Sequence, residues 1–255
     1  MNFNENNCTR CGRKKLYDEW CKQCEHDFFK SNFHKWTSGN EIIDTFIRET
    51  QLLATTKFNF LEWIPYSSII DIKFIGRGGF GEVFSAIWID GPRTKWNAEK
   101  NVWERYSNVN VALKSLKNIK EEDITSDLFK ELKAHLMSND QIVGRFNVLR
   151  TYGITYDPES KVYMMVMTLA DYGDLSSYLQ NHFSTLTYMK KLELLYDMAT
   201  GLTQIHKSGL VHRDLHCGNV MCQGIMDKNL DQIDLKTSGL LNIEGSADLE
   251  IPDDL

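Results

Sequence analysis

Several residue sets in this 255-residue chain have the types and spacing for chemistry. Near the start, Cys8, Cys11, Cys21 and Cys24 form two C-x-x-C pairs. Paired turns of this kind can place four thiolates around a tetrahedral Zn²⁺. Gly12 gives the first pair a turn-permissive neighbour, and His26 is a spare candidate ligand. Far downstream, Asp214 stands five positions before Asn219 in the run Val211-His212-Arg213-Asp214-Leu215-His216-Cys217-Gly218-Asn219-Val220. That run is too polar for a strand interior and too broken by glycine for a helix, so it presents a carboxylate and a carboxamide from a loop. Between the two sets lies Gly76-Arg77-Gly78-Gly79-Phe80-Gly81-Glu82-Val83. Glycines there let backbone amides approach phosphates that side chains would keep away. Ala112 and Lys114 share one face of the strand that follows, a small residue and an amine suited to an adenine wall and a phosphate contact.

The background composition is that of an ordinary soluble globular protein, with 42% hydrophobic residues, 25% charged residues and a net charge of −6. Mild acidity gives no electrostatic footprint for nucleic acid or an anionic membrane, so neither is an expected partner. No apolar run approaches the roughly 20 residues of a membrane helix. The opening residues lack the basic and apolar blocks of a signal peptide. The expectation is a cytoplasmic or nuclear protein with reduced thiols.

The elements that must position these residues are readable in order. Residues 1–30 form a cysteine-rich module that needs metal to fold, since so short a segment cannot bury a core. Residues 31–66 form a linker. Within it Ile43, Phe46, Ile47, Leu53 and Ala54 fall at helical spacing after Asn40 as N-cap, and Trp63-Ile64-Pro65-Tyr66 ends it. Strand alternation begins near Ile69 and resumes from Val83 to Ile89, so the glycines sit in a hairpin. Residues 90–108, with Gly91-Pro92 as breaker, read as a surface loop. A strand follows over 109–114, then a helix over 126–137 with Leu128, Leu132 and Leu136 as its stripe. Glu131 borders that stripe and can reach Lys114; Glu121 and Glu122 are rivals that precede the helix. Strands over 148–156 and 161–169 flank the turn at Asp157-Pro158, completing a five-strand antiparallel sheet. Asp174 caps a short helix, and 188–207 is a longer one with Leu192, Leu195, Tyr196, Ala199, Leu202 and Ile205 on one side.

In this order and context the motifs resemble those of the eukaryotic protein kinase family, over about 69–231. G-x-G-x-x-G-x-V, the V-A-L-K at 111–114 and H-R-D-L-x-x-x-N are the matching signatures. The resemblance implies an α+β, two-lobed fold over 67–255, with an antiparallel five-strand N-lobe over about 67–168 and an incomplete helical C-lobe over about 169–255. It implies ATP and Mg²⁺ as cofactors and a protein substrate. Gly76, Gly78, Gly79, Phe80, Gly81 and Val83 would cover the ATP phosphates, with Lys114 contacting them and Glu131 fixing Lys114. Ala112, Met167, Leu169 and Met221 would enclose the adenine. Asp214 would be the catalytic base, Asn219 a Mg²⁺ ligand, His212 a support for the loop and Arg213 a partner for an activation-loop phosphate.

By the same resemblance, Ser/Thr-directed members carry Lys two positions after the catalytic Asp, where this chain has His216. Tyrosine-directed members carry Arg two or four positions after it, and the latter place is Gly218. The run is similar to the tyrosine-kinase-like group, which implies Ser/Thr over Tyr. D-F-G and A-P-E are absent from the sequence. Asp234 is the substitute carboxylate for Mg²⁺, while Thr237-Ser238-Gly239-Leu240 has Thr where the D-F-G Asp belongs. The competing expectations are an impaired, ATP-binding scaffold, or a protein whose work is done by the cysteine module. Large apolar side chains of the 188–207 helix left in water forfeit about 1.5–3 kcal/mol each, so the carboxy-terminal half is expected to be marginal.

Overall fold

Apolar residues at helical spacing after a capping Asn, and at strand spacing beyond it, set the order of elements. A computed structural model describes residues 7–15, 20–78, 81–97, 99–100, 102–116, 129, 132–133, 136, 149–207, 209–224, 233–237 and 242–243, with backbone only at 78, 233–237 and 242–243. Helix α1 is Lys22–Asn32, with Cys21 at its N-cap. Helix α2 is Glu41–Leu53, and the Asn40 side chain accepts from the Ile42 and Ile43 N–H groups. Ile43, Phe46 and Ile47 are buried as the spacing requires, but Leu53 is exposed, and the apolar contact continues instead at Ala54.

The chain divides into two units, Met1–Gly144 with Leu149–Asp171, and Arg145–Val148 with Tyr172–Leu255. The first holds a six-stranded sheet in the order β1-β7-β8-β6-β3-β2. Its strands are β1 Glu62–Trp63, β2 Ile69–Gly78, β3 Gly81–Trp88, β6 Val109–Ser115, β7 Thr151–Asp157 and β8 Val162–Thr168. Five of these pair antiparallel as expected. The sixth, β1, adds itself in parallel to β7, pairing Glu62 with Gly153 and Trp63 with Ile154. Gly153 permits this, because a Cβ there would lie 2.0 Å from the Glu62 carbonyl oxygen. The 90–108 segment is not a loop. It folds as a hairpin of β4 Arg93–Asn97 and β5 Val102–Arg105, driven by aromatic residues that face each other across it. Ala86, Trp88, Val111, Leu113, Met164 and Val166 form the core on one face of the large sheet.

The second unit contains α3 Leu175–His182, α4 Tyr188–Lys207, β9 Leu210–Val211, β10 Val220–Gly224, β11 Ile233–Thr237 and β12 Asn242–Ile243. Its core joins Leu175, Tyr178, Leu194, Val220 and Cys222. The buried side of α4 is Leu194, Asp197, Gly201 and Ile205. Leu192, Leu195 and Tyr196, grouped with Ile205 by the sequence pattern, instead lie in solvent with Tyr188 and Met189, and Tyr196 is 71% exposed. No helix among the described residues is long and apolar enough to cross a membrane.

Candidate active site

In β6 the burial alternates, with Val111, Leu113 and Ser115 buried and Ala112 and Lys114 half-buried. Cross-strand register then determines their companions. Gly76 pairs with Val83, Val83 with Lys114, and Lys114 with Met165. Ser85 pairs with Ala112, and Ala112 with Met167. Directly paired residues point to the same face of a sheet. Val83, Lys114, Ala112 and Met167 therefore share the face opposite the core; for Ala112 and Lys114 this is the alternation read from the sequence. Met165 belongs there too; its place directly opposite Lys114 follows from strand register, which sequence alone does not give.

The glycine hairpin closes on β6 at one point. The Glu82 N–H donates to Ser115 Oγ (2.8 Å). Gly81 has φ +139°, and a Cβ there would meet the Ser115 carbonyl oxygen at 2.4 Å. Gly76 has open space around it. The two glycines thus serve different physical ends, one a close backbone approach and one an unobstructed surface. Ser115 carries no motif signal and was missed. Gly79, Phe80 and Glu131 lie outside the described residues; beside Glu131, Leu132 and Leu136 are helical and buried, and Phe129 packs on Phe46 of α2 at 4.3 Å. Leu169 follows β8 in the segment that leads to Asp174.

In the second unit the loop after β9 turns on Arg213, whose φ of +41° lies in the left-handed region that residues with a side chain rarely adopt. His212 is 3% exposed. A single 3₁₀ turn at Cys217–Asn219 returns the chain, so that the Asn219 Nδ2 donates to the Asp214 backbone oxygen (2.8 Å) and to Asp214 Oδ2 (2.7 Å). The same Nδ2 also lies 3.0 Å from His216 Nε2, so the amide sits between Asp214 and His216. His216 Nδ1 accepts from the Gly218 N–H (3.1 Å), which assigns the proton of a neutral ring to Nε2, 3.7 Å from Asp214 Oδ2. A carboxylate is thereby held by an amide whose remaining oxygen is the kind of hard ligand Mg²⁺ takes.

Strand β10 carries Met221 away from this loop, on the face opposite buried Val220 and Cys222. Met221 bridges to Asp174 and pairs with Lys236 of β11. Burial, with the nearby Asp174 charge, pushes the Cys222 thiol up to about 12. Thr237 pairs with Val220, next to Asn219, whereas Asp234 pairs with Gln223. Asp234 and Thr237 stand three positions apart on the strand, roughly 10 Å.

The described residues also bring the four amino-terminal cysteines together. Their Sγ atoms lie within 4.8 Å of one another, with Cys8–Cys24 at 3.7 Å and Cys11–Cys21 at 3.6 Å. A tetrahedron with Zn–S bonds of about 2.3 Å has edges of about 3.8 Å, so the cluster fits this ion.

A family model described as protein tyrosine and serine/threonine kinase matches residues 69–238. The chain belongs to the eukaryotic protein kinase family. Among its relatives, the kinase segment is 28% identical over 158 residues to a probable serine/threonine-protein kinase, gdt4, of Dictyostelium discoideum, covering 62% of this chain and 8% of that one. It is 27% identical over 147 residues to the tyrosine-protein kinase receptor svh-2 of Caenorhabditis elegans, covering 58% and 12%. It is 26% identical over 203 residues to the interferon-induced, double-stranded RNA-activated protein kinase of Mus musculus, covering 73% and 33%. The chain therefore spans only a small part of the length of these relatives. The five antiparallel strands of the sheet, β2, β3, β6, β7 and β8, and the loop at 212–219 fall inside the matched span.

Proposed function

We propose that this protein is an ATP-dependent protein kinase that transfers the γ-phosphate to protein hydroxyls, Ser and Thr in preference to Tyr. The observation that carries this reading is the double hydrogen bond from the Asn219 amide to Asp214. It orients one carboxylate at the head of a loop inside the kinase span. In this reading Asp214 accepts the proton of the substrate hydroxyl. Lys114 contacts the nucleotide phosphates from the sheet face it shares with Val83 and Ala112, with Glu131 as its partner. Gly76, Gly78, Gly79, Phe80 and Gly81 form the cover, and Met167, Leu169 and Met221 enclose the base. Asn219 is the residue for Mg²⁺, which supplies charge neutralisation at the phosphates; Asp234, paired with Gln223 three strand positions from the end of β11 beside Asn219, lies too far along the strand to share that ion. The Ser/Thr preference draws on the names of relatives such as gdt4. In this reading the cysteine cluster holds Zn²⁺, and thiolate ligands of this kind go with a reducing compartment, cytoplasmic or nuclear.

One observation favours a second reading, an ATP-binding protein impaired in transfer: the end of β11 beside Asn219 carries Thr237, not a carboxylate. A single comparison separates the two. Asp214→Asn should leave ATP-analogue binding unchanged and lower Mg²⁺-dependent phosphotransfer about 10²–10⁴-fold. Equal transfer by both proteins rejects the role given to Asp214. Nucleotide binding without any transfer, in either protein, selects the second reading.

A further inference from the structure

The hairpin β4–β5 continues outward from the β3–β6 pair, through the Asn108 N–H to the Ile89 oxygen and the Tyr106 N–H to the Pro92 oxygen, and among the described residues no third strand pairs with it. A two-stranded hairpin of this size is marginal in water unless another element covers a face. What covers it is the cysteine module. Arg10 lies between Cys8 and Cys11, and Glu25 directly follows Cys24, so the four ligand positions also set these two charges. Glu25 is 1% exposed. One of its oxygens accepts from Arg10 and the other from the indole N–H of Trp103 on β5 (2.8 Å). The Arg10 guanidinium lies 4.1 Å from the ring centroid of Trp96 on β4. Trp20, next to Cys21, packs against Trp103 and Phe60. On the other side, Arg93 and Arg105 of the hairpin both reach Glu62 of β1.

We propose that Zn²⁺ bound by Cys8, Cys11, Cys21 and Cys24 is the clasp that seats the β4–β5 hairpin, so that this insertion into the kinase sheet is ordered only with metal in place. The inference rests on the Zn²⁺ reading given above. Each part completes the other: the module alone is too short to bury a core, and the hairpin beyond residue 92 has no third strand beside it among the described residues. The metal sets the distance between Arg10 and Glu25, and that pair presents the acceptor for Trp103. A buried carboxylate keeps its place only while its donors are held. Losing the ion releases the side of the joint made by Arg10 and Glu25, and the pairs of Arg93 and Arg105 with Glu62 alone do not cover the hairpin face.

The test uses the full chain, reduced and loaded with ZnCl₂. Metal analysis should find about one Zn²⁺ per chain. Hydrogen exchange should then be followed by mass spectrometry, with and without a zinc chelator. Chelation should raise exchange across 93–105 by about tenfold while 151–157 in the sheet stays within about twofold, and added Zn²⁺ should restore it. Trp103→Phe should keep the Zn²⁺ and loosen 93–105 on its own. Metal loss with 93–105 unchanged, or with 151–157 rising equally, overturns the clasp and leaves the Zn²⁺ reading standing. Reduced protein that takes up no Zn²⁺ overturns both.

Discussion

Alanine at Gly81 and alanine at Gly76 should behave in opposite ways, although both glycines belong to one motif. At Gly81 the new Cβ lies 2.4 Å from the Ser115 carbonyl oxygen, and the backbone holds φ +139°. The strands must separate by about 1 Å to reach an ordinary contact. That breaks the Glu82 N–H to Ser115 Oγ hydrogen bond. Strain of about 1–3 kcal/mol and a hydrogen bond of about 1 kcal/mol give a loss of roughly 2–4 kcal/mol. At Gly76 nothing lies within 4 Å and the backbone is unstrained. Its variant should stay within about 0.5 kcal/mol of the parent. All six tryptophans lie between Trp20 and Trp103, in the unit that holds the sheet, so urea unfolding followed by tryptophan emission reports on that unit. Calorimetric titration with an ATP analogue gives the second readout. Gly76→Ala should weaken nucleotide binding with its unfolding midpoint unmoved, since its methyl projects where phosphates are proposed to lie. Equal stability of the two variants would refute the close-approach explanation of Gly81. Unchanged nucleotide binding in Gly76→Ala would refute the flap.

Two further outcomes follow from buried groups. Asp44 is held below the usual carboxylate range: burial pushes its pKa up, but this is outweighed by donors from Ser38 and Thr37 and by Arg48. Its stabilisation is therefore complete above the unfolded pKa of about 3.9 and lost as pH falls through the folded value. Asp44→Asn should cost about 2 kcal/mol near neutral pH, and urea titrations should show the deficit shrinking below about pH 4. A deficit that grows on acidification would reverse the sign assigned to this group. In the second unit, Cys222 is buried with its thiol pushed up to about 12, while Cys217 is exposed. Iodoacetamide at neutral pH should label Cys217 in the folded protein and reach Cys222 only in urea, as read by peptide mass spectrometry.

The parts of the site that sequence makes legible are those encoded by local spacing. Asp214 and Asn219 are five residues apart on one loop, and the loop alone brings them together. Lys114 and Ala112 share a face because strand alternation is local. The cysteine cluster is legible for the same reason, two short turns whose spacing states the geometry. Residues that meet through register or through distant packing are not legible. Met165 opposite Lys114, and Ser115 against Gly81, depend on which strands pair and where. The hairpin at 93–105 was concealed by its charges. Arg93, Arg105 and Glu104 make it look solvated, yet Arg93 lies among the Phe28, Phe29 and Phe60 rings and is charge-paired with Glu62. The side of α4 was misassigned because Leu192, Leu195 and Tyr196 are as apolar as Leu194 and Ile205, and only the neighbours decide which set is covered.

Strand β1 is two residues long, and it precedes the span that the family model recognises. Its place beside β7 means that it caps a sheet border that would otherwise offer a row of unsatisfied amides and carbonyls to any passing chain. Boundaries drawn from family similarity alone, at residue 69, would cut this guard away. Such a fragment keeps the motifs from Gly76 to Asn219 and uncovers the β7 edge at Gly153 and Ile154, where another copy could pair. A fragment begun upstream of β1 is therefore expected to stay monomeric where one begun at residue 69 self-associates, a difference that size-exclusion chromatography reads directly.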